Sequence, residues 1–178
     1  MNEKIVMAGF GGQGVMLIGQ LLTYAGMYEN KEVSWLPSYG PEMRGGTANC
    51  HVTVSDKTIS SPIITKATSA IIMNNPSLGK FEPMVVAGGD LFINSSLVDL
   101  KPQRTDVNVY SIEANKIAES LGNSKGMNMV MLGAYLAKHP VVSLQTVEDV
   151  MKKTMTGGKA KFIPSNMTAI KAGMDAVK

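Results

Sequence analysis

One cysteine and two histidines among 178 residues remove several chemistries at once. Cys50 alone closes no internal disulfide, completes no zinc cluster and holds no iron–sulfur cluster within the chain. With only His51 and His139 available, a metal site or a histidine-based catalytic dyad is not expected. Charge of one sign is also lacking. The 17 basic and 14 acidic side chains leave a net +3, with no basic stretch interleaved with aromatics, so nucleic acid is not an expected partner. No apolar run reaches the roughly 18 residues of a membrane helix, and the charged opening Asn2-Glu3-Lys4 is unlike a secretory leader. A cytoplasmic protein with no membrane partner is the expectation.

What is present is an ordinary globular composition, 44% hydrophobic and 17% charged, of a size for one domain spanning 1–178. Fourteen methionines read as flexible core filler. Residues 4–8 form a short apolar run that predicts a buried first strand. Val15, Ile18, Leu22 and Ala25 then recur at helical spacing, predicting a helix over 13–28, and 32–36 reads as a second strand. Residues 37–46, with two prolines and three glycines, read as a loop. Alternation over 47–55 predicts a strand with Ala48, Cys50, Val52 and Val54 on one face and Thr47, Asn49, His51 and Thr53 on the other, then a hairpin into 58–60. Further strands are expected at 69–73, at 84–87 turning through Gly88-Gly89-Asp90 into 91–94, and at 107–111. The remainder is helical: 113–121 stopped by Gly122, an apolar helix over 128–138, a helix capped by Ser143, a flexible basic link at 156–161, and a last helix capped by Ser165. The expected fold class is α/β: a Rossmann-like open, mainly parallel sheet with hairpin additions and a helical C-terminal third.

The chemistry-bearing motif is Gly9-Phe10-Gly11-Gly12-Gln13-Gly14, between the first strand and the first helix. Gly9, Gly11 and Gly14 satisfy G-x-G-x-x-G in the context that motif requires. Glycines permit the tight turn, and the helix N-terminus offers free N–H groups to an anion. A dinucleotide site also needs an acid at the end of the second strand, where this chain has Trp35-Leu36-Pro37. That argues against NAD or FAD. An anionic ligand, a partner contact, or plain close packing of helix on sheet all stay open. The loop at 37–46 follows the second strand at the same sheet edge, so Glu42, Arg44, Gly45 and Gly46 join Gly9, Gly11, Gly12, Gln13 and Gly14 as candidate binding residues. Arg44 suits a phosphate or carboxylate, or a salt bridge within the loop. Cys50, on the apolar face, reads as a core residue, and His51 as a hydrogen-bonded surface or interface group.

Three segments together carry a resemblance: the glycine turn, Pro37-Ser38-Tyr39-Gly40-Pro41-Glu42-Met43-Arg44-Gly45-Gly46-Thr47-Ala48-Asn49-Cys50, and Gly122-Asn123 with Asn128-Met129-Val130-Met131-Leu132-Gly133-Ala134. In this order they resemble the gamma subunit of 2-oxoacid:ferredoxin oxidoreductases, nearest the 2-oxoglutarate and branched-chain members. The resemblance implies a subunit of an enzyme that converts 2-oxoacid, coenzyme A and oxidised ferredoxin into acyl-CoA, carbon dioxide and reduced ferredoxin. It implies thiamine diphosphate, Mg²⁺ and [4Fe–4S] clusters on other subunits, so that the isolated chain binds none of them and is inactive alone. It implies thiamine-binding and iron–sulfur subunits as partners and ferredoxin as the complex's electron acceptor. The glycine turn and Arg44 would face coenzyme A or a partner subunit. Two other readings compete: a free-standing nucleotide-binding oxidoreductase and an assembly module without ligand.

Overall fold

In the computed structural model, residues 1–40 and 46–177 are described. One six-stranded sheet runs in the order β2-β3-β1-β4-β5-β6. β1 (Asn2–Phe10), β4 (Ala67–Ile72), β5 (Val85–Asn94) and β6 (Asn108–Ile112) are parallel neighbours. β3 (Thr47–Ser55) runs antiparallel to both β1 and β2 (Glu32–Tyr39), so it is threaded between two strands that point the same way. The crossover from β1 through α1 (Val15–Tyr28) to β2 therefore spans a strand added later.

Alternation along β1 explains the layers. Ile5 and Met7 face one side, Val6 and Ala8 the other, and all four are fully buried, because helices or loops cover both faces. Burial of the Ile5, Val6 and Met7 side chains is worth about 1.5–3 kcal/mol each. On the first face lie α1, α3 (Ala114–Ser120), α4 (Met127–Lys138), α5 (Leu144–Thr154) and α6 (Ile163–Asp175). On the second, a smaller cluster sits under α2 (Asn75–Phe81) and loop residues such as Ile64 and Val98.

The helix signals operate locally. Gly122, at φ 68, ends α3, and the Ser143 hydroxyl accepts from the Thr146 N–H to start α5. α2, which the apolar pattern does not reveal, has its own start: Asn74 accepts from the Ser77 N–H, and a proline sits in the first turn.

Several expectations are corrected. β2 continues through Pro37 to Tyr39, residues read as loop; an edge strand tolerates a proline. No strand forms at 58–60, since β1 and β2 already occupy both edges of β3. Residues 84–94 make no hairpin. Met84 ends a 3-10 helix, and 85–94 make one strand with an irregularity at Gly88 (φ 75), whose N–H donates to the Asp106 carbonyl, 2.6 Å away. The link at 156–161 is a 3-10 helix, Gly157–Phe162. α6 begins ahead of Ser165, whose hydroxyl donates to the Phe162 carbonyl at 2.9 Å rather than capping the helix. On the polar face of β3, Asn49 and Thr53 are buried, His51 is half-buried and Thr47 is exposed.

Candidate functional site

β1 and β2 end at the same edge of the sheet, where β3 begins, opposite Phe10 and Tyr39. The glycine turn is built there. Gly9 admits no side chain: a Cβ would strike Gln13 Oε1 and stand 2.8 Å from the Met73 Cβ. Gln13 staples the turn. Its Oε1 accepts from the Phe10 N–H at 2.6 Å, and its Nε2 donates to the Met73 carbonyl at 3.1 Å, just beyond β4. Gly12 (φ 96) and Gly14 (φ 75) are left-handed, which glycine tolerates without strain. Gly14, the N-cap of α1, cannot be helical, so the helix starts at Val15 rather than at Gln13. The Gly11 N–H donates to the Gly46 carbonyl at 2.9 Å, joining the turn to the residue just ahead of β3.

No side chain caps α1, and its first turn holds no acidic residue. Among the described residues, neither a side-chain cap nor a first-turn acid offsets the partial positive charge of its N-terminal N–H groups. Two hollows flank this helix end. A cavity of about 750 Å³ lies between Gly12, Gln13, Gly14 and Gln20 on one wall and the α3–α4 connection, α6 and the 3-10 helix on the other. Lys125 and Lys159 stand at it, with Asn123, Asn128 and Asn166, and the half-exposed rings of Tyr24 and Phe162. Among these described lining residues none is acidic. The second hollow, of about 420 Å³, lies on the side of Phe10, Gly11, Tyr39 and Ala48. The arrangement suits a ligand with a phosphate or carboxylate at the turn and a flat apolar group beside the aromatics.

Of the residues singled out in the sequence, Gly11, Gly12 and Gly14 line hollows, Gln13 both lines one and holds the turn, Gly9 packs internally, and Gly46 reaches the turn through its carbonyl. Glu42, Arg44 and Gly45 lie outside the described residues. Lys125, Lys159, Asn128, Tyr24 and Phe162 were not among the candidate binding residues; the basic link around Lys159 and the place of Asn128 in a segment that carries the resemblance were the visible signals. Cys50 is core: burial pushes its thiol up to about 12, far from a nucleophile's range. His51 accepts from the Ile64 N–H at 3.1 Å, and burial, with Lys80 nearby, lowers its pKa. Among the described residues, no group of three or more His, Cys, Asp and Glu side chains is placed to hold a metal.

Residues 4–176 match the family described as pyruvate ferredoxin/flavodoxin oxidoreductase. The chain belongs to that family. The 2-oxoglutarate synthase subunit KorC of Methanocaldococcus jannaschii is 32% identical over all of this chain and 95% of its own length. The chain spans only 36% of the ketoisovalerate oxidoreductase subunit VorA of Methanothermobacter marburgensis, which is 32% identical over 97% of this chain. Among solved structures, the gamma subunit of a keto/oxoacid ferredoxin oxidoreductase from Geobacter sulfurreducens superposes with a TM-score of 0.82 at 26% identity, covering 98% of both chains. The fold is thus that of a gamma subunit. At 20% identity, a 2-oxoglutarate:ferredoxin oxidoreductase from Magnetococcus marinus, with 2-oxoglutarate, coenzyme A and succinyl-CoA bound, shares the fold with a TM-score of 0.89 over 99% of this chain and 31% of its own. Among the described residues, no helix is long and apolar enough to cross a membrane.

Proposed function

We propose that this chain is the gamma-type subunit of a thiamine-dependent, CoA-acylating 2-oxoacid:ferredoxin oxidoreductase, with 2-oxoglutarate as the first substrate to test. The end-to-end length match to a 2-oxoglutarate synthase subunit favours that oxoacid. In this reading other subunits carry thiamine diphosphate, Mg²⁺ and the clusters, and this chain supplies a wall for coenzyme A.

The observation that carries the reading is the uncapped start of α1, presented by the stapled glycine turn between two hollows. Coenzyme A carries phosphates for the helix end, Lys125 and Lys159, and an adenine for the rings of Tyr24 and Phe162. Glu42, Arg44 and Gly45, which precede Gly46 in the sequence, complete the candidate set.

The test is anaerobic purification of the chain from its host with whatever accompanies it, followed by kinetics on the intact complex. A thiamine-binding and a cluster-bearing subunit should co-purify. Lys125→Ala and Lys159→Ala should each raise the apparent Michaelis constant for coenzyme A about tenfold to a hundredfold, the cost of one charge-assisted contact, while leaving that for the oxoacid unchanged. Unchanged constants in an assembled complex favour the assembly-module reading, and a lone monomer in native extract removes the subunit assignment.

A further inference from the structure

At the opposite edge of the sheet from the glycine turn, His139 closes α4. Its backbone N–H donates to the Tyr135 carbonyl at 2.8 Å, and its ring stacks on Tyr135 with centroids 5.0 Å apart. Its Nε2 lies 2.6 Å from Asp90 Oδ2 on β5, and its Nδ1 lies 3.3 Å from Glu3 Oε2 on β1. Both carboxylates are held in turn. The Thr68 hydroxyl donates to Glu3 at 2.8 Å, and Asn108 Nδ2 donates to Asp90 at 2.8 Å. All three side chains are less than 20% exposed. A neutral imidazole has a single N–H and cannot donate to both carboxylates, whereas the imidazolium can.

The bulge in β5 puts Asp90 within reach. Between the pairings Ala67↔Val85 and Ser69↔Asp90, β4 advances two residues while β5 advances five. Such irregularities re-aim a side chain, and here the side chain delivered is the histidine's partner.

At the other end of α4, about 18 Å away for a 12-residue helix, Asn128 Nδ2 donates to the Gly14 carbonyl at 3.3 Å. Between these ends α4 meets α6 backbone to backbone: a Cβ on Gly133 would strike the Ile170 main chain, and one on Gly173 that of Val130. α4 and α6 are therefore positioned as one body, and that body forms a wall of the larger cavity through Asn128, Met129 and Asn166.

We propose that the Glu3–His139–Asp90 bridge is a proton-operated clamp on α4, which holds the glycine turn and the cavity wall in place when the imidazole is charged and releases them when it is neutral. The clamp works whichever anion the turn binds. The groups facing the ring are Glu3 from β1, Asp90 from β5 and Tyr135 from α4, with the Phe92 ring of β5 6.1 Å away; Tyr110 of β6, with the Lys138 ammonium over its ring, lies in the field of Asp90. Burial disfavours the charged imidazole, but the hydrogen bonds and charges of Glu3 and Asp90 outweigh it and raise its pKa. A raised folded value means that the clamp's contribution is complete below the ordinary imidazole value of about 6.5 and is lost as pH rises through the folded value. Glu3 is lowered, chiefly by its hydrogen bond to His139, so its share fails only as pH falls through its folded value.

The test uses the full chain and needs no variant to begin. Imidazole NMR follows both histidines, while amide exchange is measured at Gln13 and Ile18, whose N–H groups donate to the Phe10 and Gly14 carbonyls. His139 should titrate above about 6.5 and His51 below it. Protection at both amides, corrected for intrinsic exchange, should fall at least about tenfold through the His139 midpoint, a coupling of ordinary size. Asp90→Asn should lower that midpoint and carry the protection change with it, and His139→Gln should make protection independent of pH. Protection that stays flat across the wild-type His139 titration overturns the proposal. So does a pH-linked loss of protection that survives in His139→Gln.

Discussion

The two faces of the sheet are built to different standards. On one, five helices close over Ile5, Met7, Cys50, Val52, Ile71 and Phe92, and α4 and α6 touch through their main chains. On the other, Val6, Ala8, Ala70, Ile72 and Leu91 are covered by the seven-residue α2 and by loops, with Ile63, Leu97 and Leu100 left exposed beside the buried Ile64 and Val98. The glycine turn, the cavity and the histidine bridge all belong to the helical face. The closest packing is concentrated on the face that holds the glycine turn and the cavity, and the second face carries cover of a looser kind.

That contrast can be broken at three places. The largest effect is expected from Gly133→Val. Its side chain has no room against the Ile170 backbone, and main chain cannot swing aside as a flexible side chain can, so more than about 4 kcal/mol of stability should be lost, and failure to fold would agree. Denaturant unfolding measures it; a loss under 1 kcal/mol would mean that the two helices are free to separate.

A sharper comparison sets Leu22→Ala against Leu78→Ala, the same truncation on the two faces. Both residues are almost fully buried, yet the cavity under α1 is walled by rigid helices while that under α2 lies beneath loops that can settle. Losses of about 4 and 2–3 kcal/mol are expected in that order, and equal losses would erase the distinction.

The smallest effect on stability belongs to Leu100→Ser, at a residue 55% exposed. Unfolding should shift by no more than about 0.5 kcal/mol. Pull-down of partner subunits should weaken if the exposed residues of this face are a docking surface, and unchanged recovery would assign docking elsewhere.

The sequence revealed whatever local chemistry decides. The first strand, the glycine turn, the stop at Gly122, the Ser143 cap and the apolar α4 were legible because their causes lie within a few residues. The position of β3 was not legible. Its alternation predicted a strand, but nothing local says that it enters between β1 and β2, and that pairing is what denied residues 58–60 a neighbour. Gly88-Gly89-Asp90 looked like a chain reversal, because a left-handed glycine serves a turn and a bulge equally well. The candidate site was half legible for the same reason. The turn is contiguous, while Lys125, Lys159 and Asn166 reach it only because α4 and α6 fold back over α1.

Pro37 also bears on how copies of the chain meet. β2 is an outer strand of the sheet, and a row of unpaired main-chain groups there would invite another strand to zip alongside. A residue with no N–H, the sixth of eight, interrupts such a row. The edge is therefore guarded against runaway self-association. A partner arriving at this side is left with side chains such as Leu36 and Tyr39 to grip, and binding there becomes a matter of shape rather than of strand exchange.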